Sequence, residues 1–357
     1  MPLLWTNACA MSSPPEDRPF DCGSGRLEPD QAPAQRLVQV DPDYATQACE
    51  LFGDVFGHAM TGAHWQWKYG GGRGRAVGLL RGDALVAHYG GVSRRIAYFG
   101  RPALACQVCD VMVSKGANTA LHRRGPIYQV AATFLEHEIG WHQPHLLGYG
   151  FPSARAFGVA QRQGLYAAVD SIVCASWPAV DAPRGPRRVC EVLGSADRTL
   201  GERHRRTIDA LWQRMAAALS DRIVGVRDAA WLQHRYLAHP TLRYQVLLLR
   251  RPWTRRTLGV LVTRAHERHL DVLDLIAAPA DFGELIALAR RRAAAVGLER
   301  VDCWITQSQL QYLSDIDAPV LSAVPTGIVV PANVHTPGPV NEVRDRWFLL
   351  AGDADFT

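Results

Sequence analysis

A long internal repeat limits the fold of this chain more than any single motif does. In the first half an aromatic segment, Trp65-Gln66-Trp67-Lys68-Tyr69, leads into an apolar stretch that ends at Arg81. In the second, Trp231-Leu232-Gln233-His234-Arg235-Tyr236 leads into Tyr244 to Arg250. Each half then shows a strand-like run around one acidic residue: Cys106 to Val113 around Asp110, and Leu270 to Ala277 around Asp274. An amphipathic helix pattern follows each run (128–140 and 282–297), and then an apolar strand pattern (145–151 and 301–306). A period of roughly 165 residues is too long for a solenoid unit and fits a whole domain. The expectation is a tandem duplication of one α/β domain, with any active site in one copy or at the seam between them.

The length of 357 residues suffices for two cores, and a hydrophobic fraction of 48% with 20% charged residues is that of a globular protein. Residues 1–35, rich in Pro, Ser, Gly and Asp, read as a loose leader. The first domain is expected over 36–176, a Pro- and Arg-rich linker over 177–188, and the second domain over 189–357. Asp41-Pro42 sets a helix start, with Asp as cap and Pro at the first helical position. Arg81-Gly82-Asp83 marks a tight hairpin. Strands joined by such hairpins are antiparallel, so each copy reads as a mixed, mostly antiparallel sheet flanked by helices, an α/β fold without successive βαβ units.

The net charge of +5 is modest, and no basic run interleaved with aromatics suggests a nucleic-acid face. No apolar run approaches a membrane span, and the start of the chain lacks a secretory pattern. Eight scattered cysteines without a framework point to free thiols and a cytoplasmic setting. The cations are nearly all Arg, with Lys68 and Lys115 the only lysines. His137-Glu138-Ile139-Gly140-Trp141-His142 lacks the i, i+4 histidines of a zinc helix, and Cys106 and Cys109 would face opposite sides of a strand, so no metal is expected.

The segment after Asp110 carries the best site candidate. A strand ends at Val113, and a loop with Gly116, His122, Arg123, Arg124 and Gly125 leads into Pro126 at a helix start. Backbone N–H groups there, with two guanidinium groups beside them, suit a phosphate. Asp110 and Glu136 are carboxylates suited to general-base work, and Trp65, Trp67 and Tyr69 could line a ligand pocket.

This order of elements resembles the GCN5-related N-acetyltransferase (GNAT) superfamily, from Arg36 to Cys174 and more loosely from Val189 onward. The likeness is greatest to tandem-GNAT bacterial proteins. It rests on the aromatic helix, the strand Val108-Cys109-Asp110-Val111-Met112-Val113, the Arg-Arg-Gly-Pro turn, and Gly150-Phe151-Pro152. It implies two tandem GNAT-like domains and an acyl-CoA co-substrate, acetyl-CoA or a longer one. Val111, Met112 and Val113 would pair with the pantetheine arm, and His122, Arg123, Arg124, Gly125, Pro126 and Ile127 would hold the pyrophosphate. Ser153 stands where such proteins often have an acceptor-side Asn. Ala160 stands where they often carry a tyrosine acid, and Tyr166 lies just beyond that helix. The implied reaction is transfer of an acyl group to a small-molecule or sugar amine. In the second copy Asp281 replaces the basic turn, which implies a degenerate, supporting domain. The alternatives are a non-catalytic acyl-CoA-binding or scaffold protein, and a peptidyl-transferase-like aminoacyl transferase.

Overall fold

The computed structural model describes residues 34–117, 125–180, 189–194, 199–251, 254, 256–324, 329–333, 338–339 and 341–355. In the first half β1 (Gln35–Gln39), β2 (Gly74–Arg81), β3 (Ala84–Tyr98) and β4 (Arg101–Val113) pair antiparallel in that order, and β5 (Leu147–Tyr149) runs parallel to β4. Two helices, α1 (Ala45–Phe56) and α2 (Gly62–Tyr69), connect β1 to β2, and α3 (Pro126–Glu138) connects β4 to β5. The local chemistry is as expected. Asp41 accepts from Asp43 N at 2.9 Å to start the turn before α1. Gly57 in the left-handed region ends α1, and Thr61 caps α2. After β5 come α4 (Ala154–Arg162) and β6 (Tyr166–Pro178).

The second half repeats the plan. It runs β7 (Val189–Gly194), α5 (Glu202–Ala218), β8 (Ile223–Gly225), α6 (Ala229–Leu232) with a π turn over Gln233–Leu237, β9 (Gln245–Arg250), β10 (Thr257–Ala265) and β11 (His269–Ile276). Then follow α7 (Phe282–Ala295), β12 (Arg300–Thr306), the short α8 (Gln311–Ser314), β13 (Val320–Ala323), β14 (Val329–Asn333) and β15 (Trp347–Phe348). The strand order β7-β9-β10-β11-β12 matches β1-β2-β3-β4-β5 with the same directions, including the parallel last pair. Asp110 and Asp274 occupy the same strand of each set, and both strands bulge beside them. His88 faces Met112 while Gly90 faces Cys109, and Val262 faces Asp274 while Thr263 faces Val272.

The halves interlock, which the linear reading did not foresee. The strand expected to close the first copy, β6, pairs with β12, β13 and β14 in the second sheet. Conversely β8, from the second half, pairs with β3, and β15 pairs with β8 in the first sheet. The start of the expected linker is therefore buried strand: Trp177 is 1% exposed and donates to Ile316 O at 2.5 Å. Residues 181–188 lie outside the described set. Among the described residues no helix is long and apolar enough to cross a membrane.

Candidate active site

The β4 bulge places Asp110 in the left-handed region, at φ 49°, a conformation that Asp tolerates better than most residues. Its side chain turns inward to meet α2. One carboxylate oxygen accepts from Lys68 Nζ at 2.7 Å and the other from the Tyr69 hydroxyl at 2.5 Å. Lys68 also reaches Asp355 Oδ2 at 3.1 Å. His88 Nδ1 donates to the Asp110 carbonyl at 2.7 Å, while its Nε2 is buried without a partner. A Cβ at residue 90 would collide with the Tyr69 hydroxyl, so glycine is required there.

The electrostatics follow from this packing. Burial alone would push the Asp110 carboxyl up, but Lys68, the hydrogen bonds from Lys68 and Tyr69, and His88 together hold it below its ordinary value. Burial pulls Lys68 down, and Asp110, Cys109 and Asp355 outweigh it and keep the ammonium well above its ordinary value. Burial lowers His88, so its imidazole is neutral near pH 7. Asp110 is thus a locked anion and a weakened proton acceptor. Asp355 is the carboxylate of this cluster that solvent reaches, with 22% of its side chain exposed.

Beside the bulge lies an open sheet edge. β4 pairs with β5 only from Ala105 to Gln107, and from Val108 to Val113 no strand among the described residues covers that side. Val111 is 37% exposed there. The next helix, α3, begins at Gly125-Pro126, and glycine at the N-cap brings no capping side chain of its own. An extended amide-bearing chain fits the edge, and an anion fits the helix start.

In the second copy the corresponding gap is filled. Residues 347–353 lie between the ends of β11 and β12: Ile305 bridges Leu350, Thr306 N donates to Leu349 O at 3.2 Å, and the Thr306 hydroxyl donates to Trp347 O at 2.6 Å. The Tyr236 hydroxyl donates to Asp274 at 3.0 Å, repeating the Tyr69–Asp110 pair. The cation on Asp274, however, is Arg227 at 2.6 Å, and Arg227 also holds Asp353. A Cβ on Gly352 would strike the Tyr236 hydroxyl, so a side chain there would unseat the plug. Asp281, in the turn that replaces the basic loop, is held by Arg256 at 3.0 Å.

The remaining expected site residues scatter. Glu136 is exposed near the end of α3, about 15 Å along the helix from Pro126 at 1.5 Å per residue, and does not join Asp110. The Tyr166 hydroxyl is buried in a hydrogen bond with the Tyr89 hydroxyl, and burial raises its pKa. Ala160 is buried on α4. Ser153 caps α4 through Ala156 N at 3.3 Å. Trp65 stacks on Tyr69 with centroids 5.5 Å apart, and Trp67 stacks on His234 and donates to its carbonyl at 2.9 Å. These aromatics therefore pack in the core and at the seam. Val111, Met112 and Val113 lie on β4 and Gly125, Pro126 and Ile127 open α3, while His122, Arg123 and Arg124 lie outside the described residues. Sequence reasoning missed Lys68, His88 and Asp355. A usable signal existed for Lys68, a lysine in a chain whose other cations are almost all Arg.

Two like sheets, each with a bulged fourth strand and a helix crossing to a parallel fifth strand, make a tandem α/β fold of the kind seen in solved GCN5-related N-acetyltransferases. No family model matches the sequence, and no curated protein matches it. Solved structures do match. A conserved protein of unknown function from Enterococcus faecalis V583, described as a probable N-acyltransferase, superposes with TM-score 0.63 at 12% identity, covering 87% of this chain and 74% of that one. A GCN5-related N-acetyltransferase from Kribbella flavida gives 0.60 at 15%, covering 84% and 71%. Saccharomyces cerevisiae N-myristoyltransferase with bound myristoyl-CoA and inhibitors gives 0.52 at 11%, covering 94% and 89%.

Proposed function

We propose that the chain is an acyl-CoA-dependent N-acyltransferase. In this reading residues 36–176 bind the thioester and residues 189–357 form a supporting domain whose own gap is plugged. One observation carries it: the edge of β4 beyond Gln107, which no strand among the described residues covers, lies beside the bulge and before the Gly125-Pro126 start of α3. The edge at Val111, Met112 and Val113 offers hydrogen bonds to the pantetheine amides, and the turn from His122 to Ile127 offers charge and N–H groups to the pyrophosphate. The names of the three fold neighbours, all of which specify N-acyl transfer and one of which also specifies bound myristoyl-CoA, agree with it.

The chemistry is direct attack. The amine nitrogen forms a bond to the thioester carbonyl, the C–S bond breaks with its electron pair going to sulfur, and the amine proton passes through a carboxylate to the thiolate. A bulge N–H would stabilise the oxyanion. Asp355 is the carboxylate placed to take the proton, because solvent reaches it while Asp110 is enclosed by Lys68 and Tyr69. Thiolate leaves readily, so a buried Tyr166 need not act as acid. The acceptor is a small-molecule or sugar amine and the acyl group acetyl. The free cysteines among the described residues suit a reducing cytoplasm.

Titration calorimetry with acetyl-, octanoyl- and myristoyl-CoA, followed by thiol release with an amine panel, tests this. Saturable binding and amine-dependent thiol release are expected. No binding by any acyl-CoA would overturn it. Binding without release would favour the second reading, a non-catalytic acyl-CoA-binding protein, for which Ala160 and the buried Tyr89–Tyr166 pair speak.

A further inference from the structure

The far end of the second sheet carries a cluster that the proposed transfer reaction does not use. β10 and β11 are joined by the tight turn Glu267-Arg268, and His266 N donates to His269 O at 2.9 Å, so these histidines form a cross-strand pair. Their rings stack with centroids 4.7 Å apart and planes 8° apart. Asp271 is two residues along β11 from His269 and shares its face. Asp302 is the register partner of Asp271 on the parallel strand β12. Four ligand-type side chains therefore meet on one sheet face, drawn from the end of β10, β11 and β12, with His266 the first residue past β10.

The atoms are spaced as a small cation needs. His266 Nε2 lies 2.7 Å from Asp271 Oδ2, His269 Nε2 lies 3.3 Å from Asp271 Oδ1, and His269 Nε2 lies 3.9 Å from Asp302 Oδ2. The His266, His269 and Asp271 ligand atoms all fall within 4.8 Å of one another. A tetrahedral ion with bonds of about 2.0–2.1 Å separates its ligand atoms by about 3.3 Å. Side-chain exposures of 35%, 26% and 20% leave the site open to solvent ions.

The cluster also asks for positive charge. Asp271 and Asp302 are like charges side by side, which destabilises a sheet unless a cation intervenes. Arg300 answers part of this on Asp302, at 3.0 Å. His266 Nε2 is asked to accept from Arg264 Nε at 3.3 Å and to donate to Asp271, and one nitrogen cannot do both. A bound ion takes that lone pair, satisfies Asp271 and frees Arg264.

We propose that His266, His269 and Asp271, with Asp302 at the fourth position, form a binding site for a first-row divalent transition ion of the zinc type. Two imidazoles with carboxylates select such ions over Mg²⁺. The ion would tie β10, β11 and β12 together.

The test is titration calorimetry of the full chain with Zn²⁺ and with Mg²⁺, visible absorption with Co²⁺, and thermal melts. One Zn²⁺ site, a tetrahedral Co²⁺ spectrum and a melting rise of several degrees with Zn²⁺ are expected, each reduced at least tenfold or lost in the variant His266→Ala with His269→Ala. Asp271→Asn should weaken Zn²⁺ binding by a similar factor. Arg264→Gln should tighten it, because it removes the competitor for His266, and this holds whether or not the alanine variant folds well. Unchanged Zn²⁺ binding in the double variant, equal response to Mg²⁺, or weaker binding in Arg264→Gln would each overturn the site.

Discussion

Lys68 shows how one side chain organises a site. Its compact ammonium joins Asp110 at 2.7 Å to Asp355 at 3.1 Å, where the second copy uses the guanidinium of Arg227 on Asp274 and Asp353. Lys68→Met would leave Asp110 charged and buried, so a loss of about 3–5 kcal/mol is expected in urea unfolding. Adding Asp110→Asn should restore part of it, whereas simple additivity of the two losses would show that the pair does not couple. The pH dependence follows from the same pair. The Asp110 carboxyl is lowered in the fold, so its contribution is present above its ordinary value of 3.8 and is lost as pH falls through the folded value. The raised Lys68 contributes below its ordinary value of 10.5 and is lost only as pH rises through its higher folded value. Asp110 was legible in the sequence as a lone acid in an apolar strand. Its partners were not, because nothing local to residues 104–113 says that Lys68 or Asp355 will fold onto them.

At the scale of elements, the repeated strand set was legible because period, hairpins and aromatic helices survive in both halves. The seam was not. There α2 meets the π turn: Trp67 stacks on His234 and lies 4.4 Å from His239, and His64 lies 5.3 Å from His239. Burial, with Arg73 and Arg235, lowers His234 to about 4. Burial, Arg235, His64, Arg264 and His234 lower His239 to about 3. Both are 6.5 when unfolded, so between pH 6.5 and 4 the unfolded chain binds more protons and stability falls as pH falls. The seam should loosen across that window, seen as a change in the part of the tryptophan emission that Trp67→Phe removes. A flat signal from pH 7 to 4 would show that these histidines stay neutral for another reason. The α3 start gives a prediction from sequence charge. Arg123→Glu with Arg124→Glu should weaken acyl-CoA binding by about 2–4 kcal/mol, since charge-assisted bonds become repulsions. Unchanged affinity would place the pyrophosphate elsewhere.

For the whole molecule, strand exchange and the final segment make two copies of one plan into a single compact unit from Gln35 onward. Because β6 belongs to the second sheet and β8 to the first, a fragment of residues 36–176 should not fold alone. Dispersed amide proton signals from that fragment would refute this. The exchange left no mark in the sequence, since β6 reads as an ordinary strand wherever it pairs. The final segment does more than plug the second gap. Asp353 is 1% exposed and holds Arg227 of the second half and, at 3.1 Å, Arg94 of β3, while Gln107 of β4 donates to its carbonyl at 2.7 Å. Burial would raise its carboxyl, but Arg227 and Arg94 outweigh that and lower it. Asp353→Ala would leave the Arg94 guanidinium, only 4% exposed, without its carboxylate, while Arg227 keeps Asp274. The expected loss is about 3–5 kcal/mol, and it should fall on both sheets together, because the residue holds β3 and β4 directly and β11 through Arg227 and Asp274. Denaturant unfolding followed by hydrogen exchange in β3 and in β11 reads this. Protection lost in β11 alone, with β3 unchanged, would mean that the segment serves only the second copy and that the halves are held by their exchanged strands.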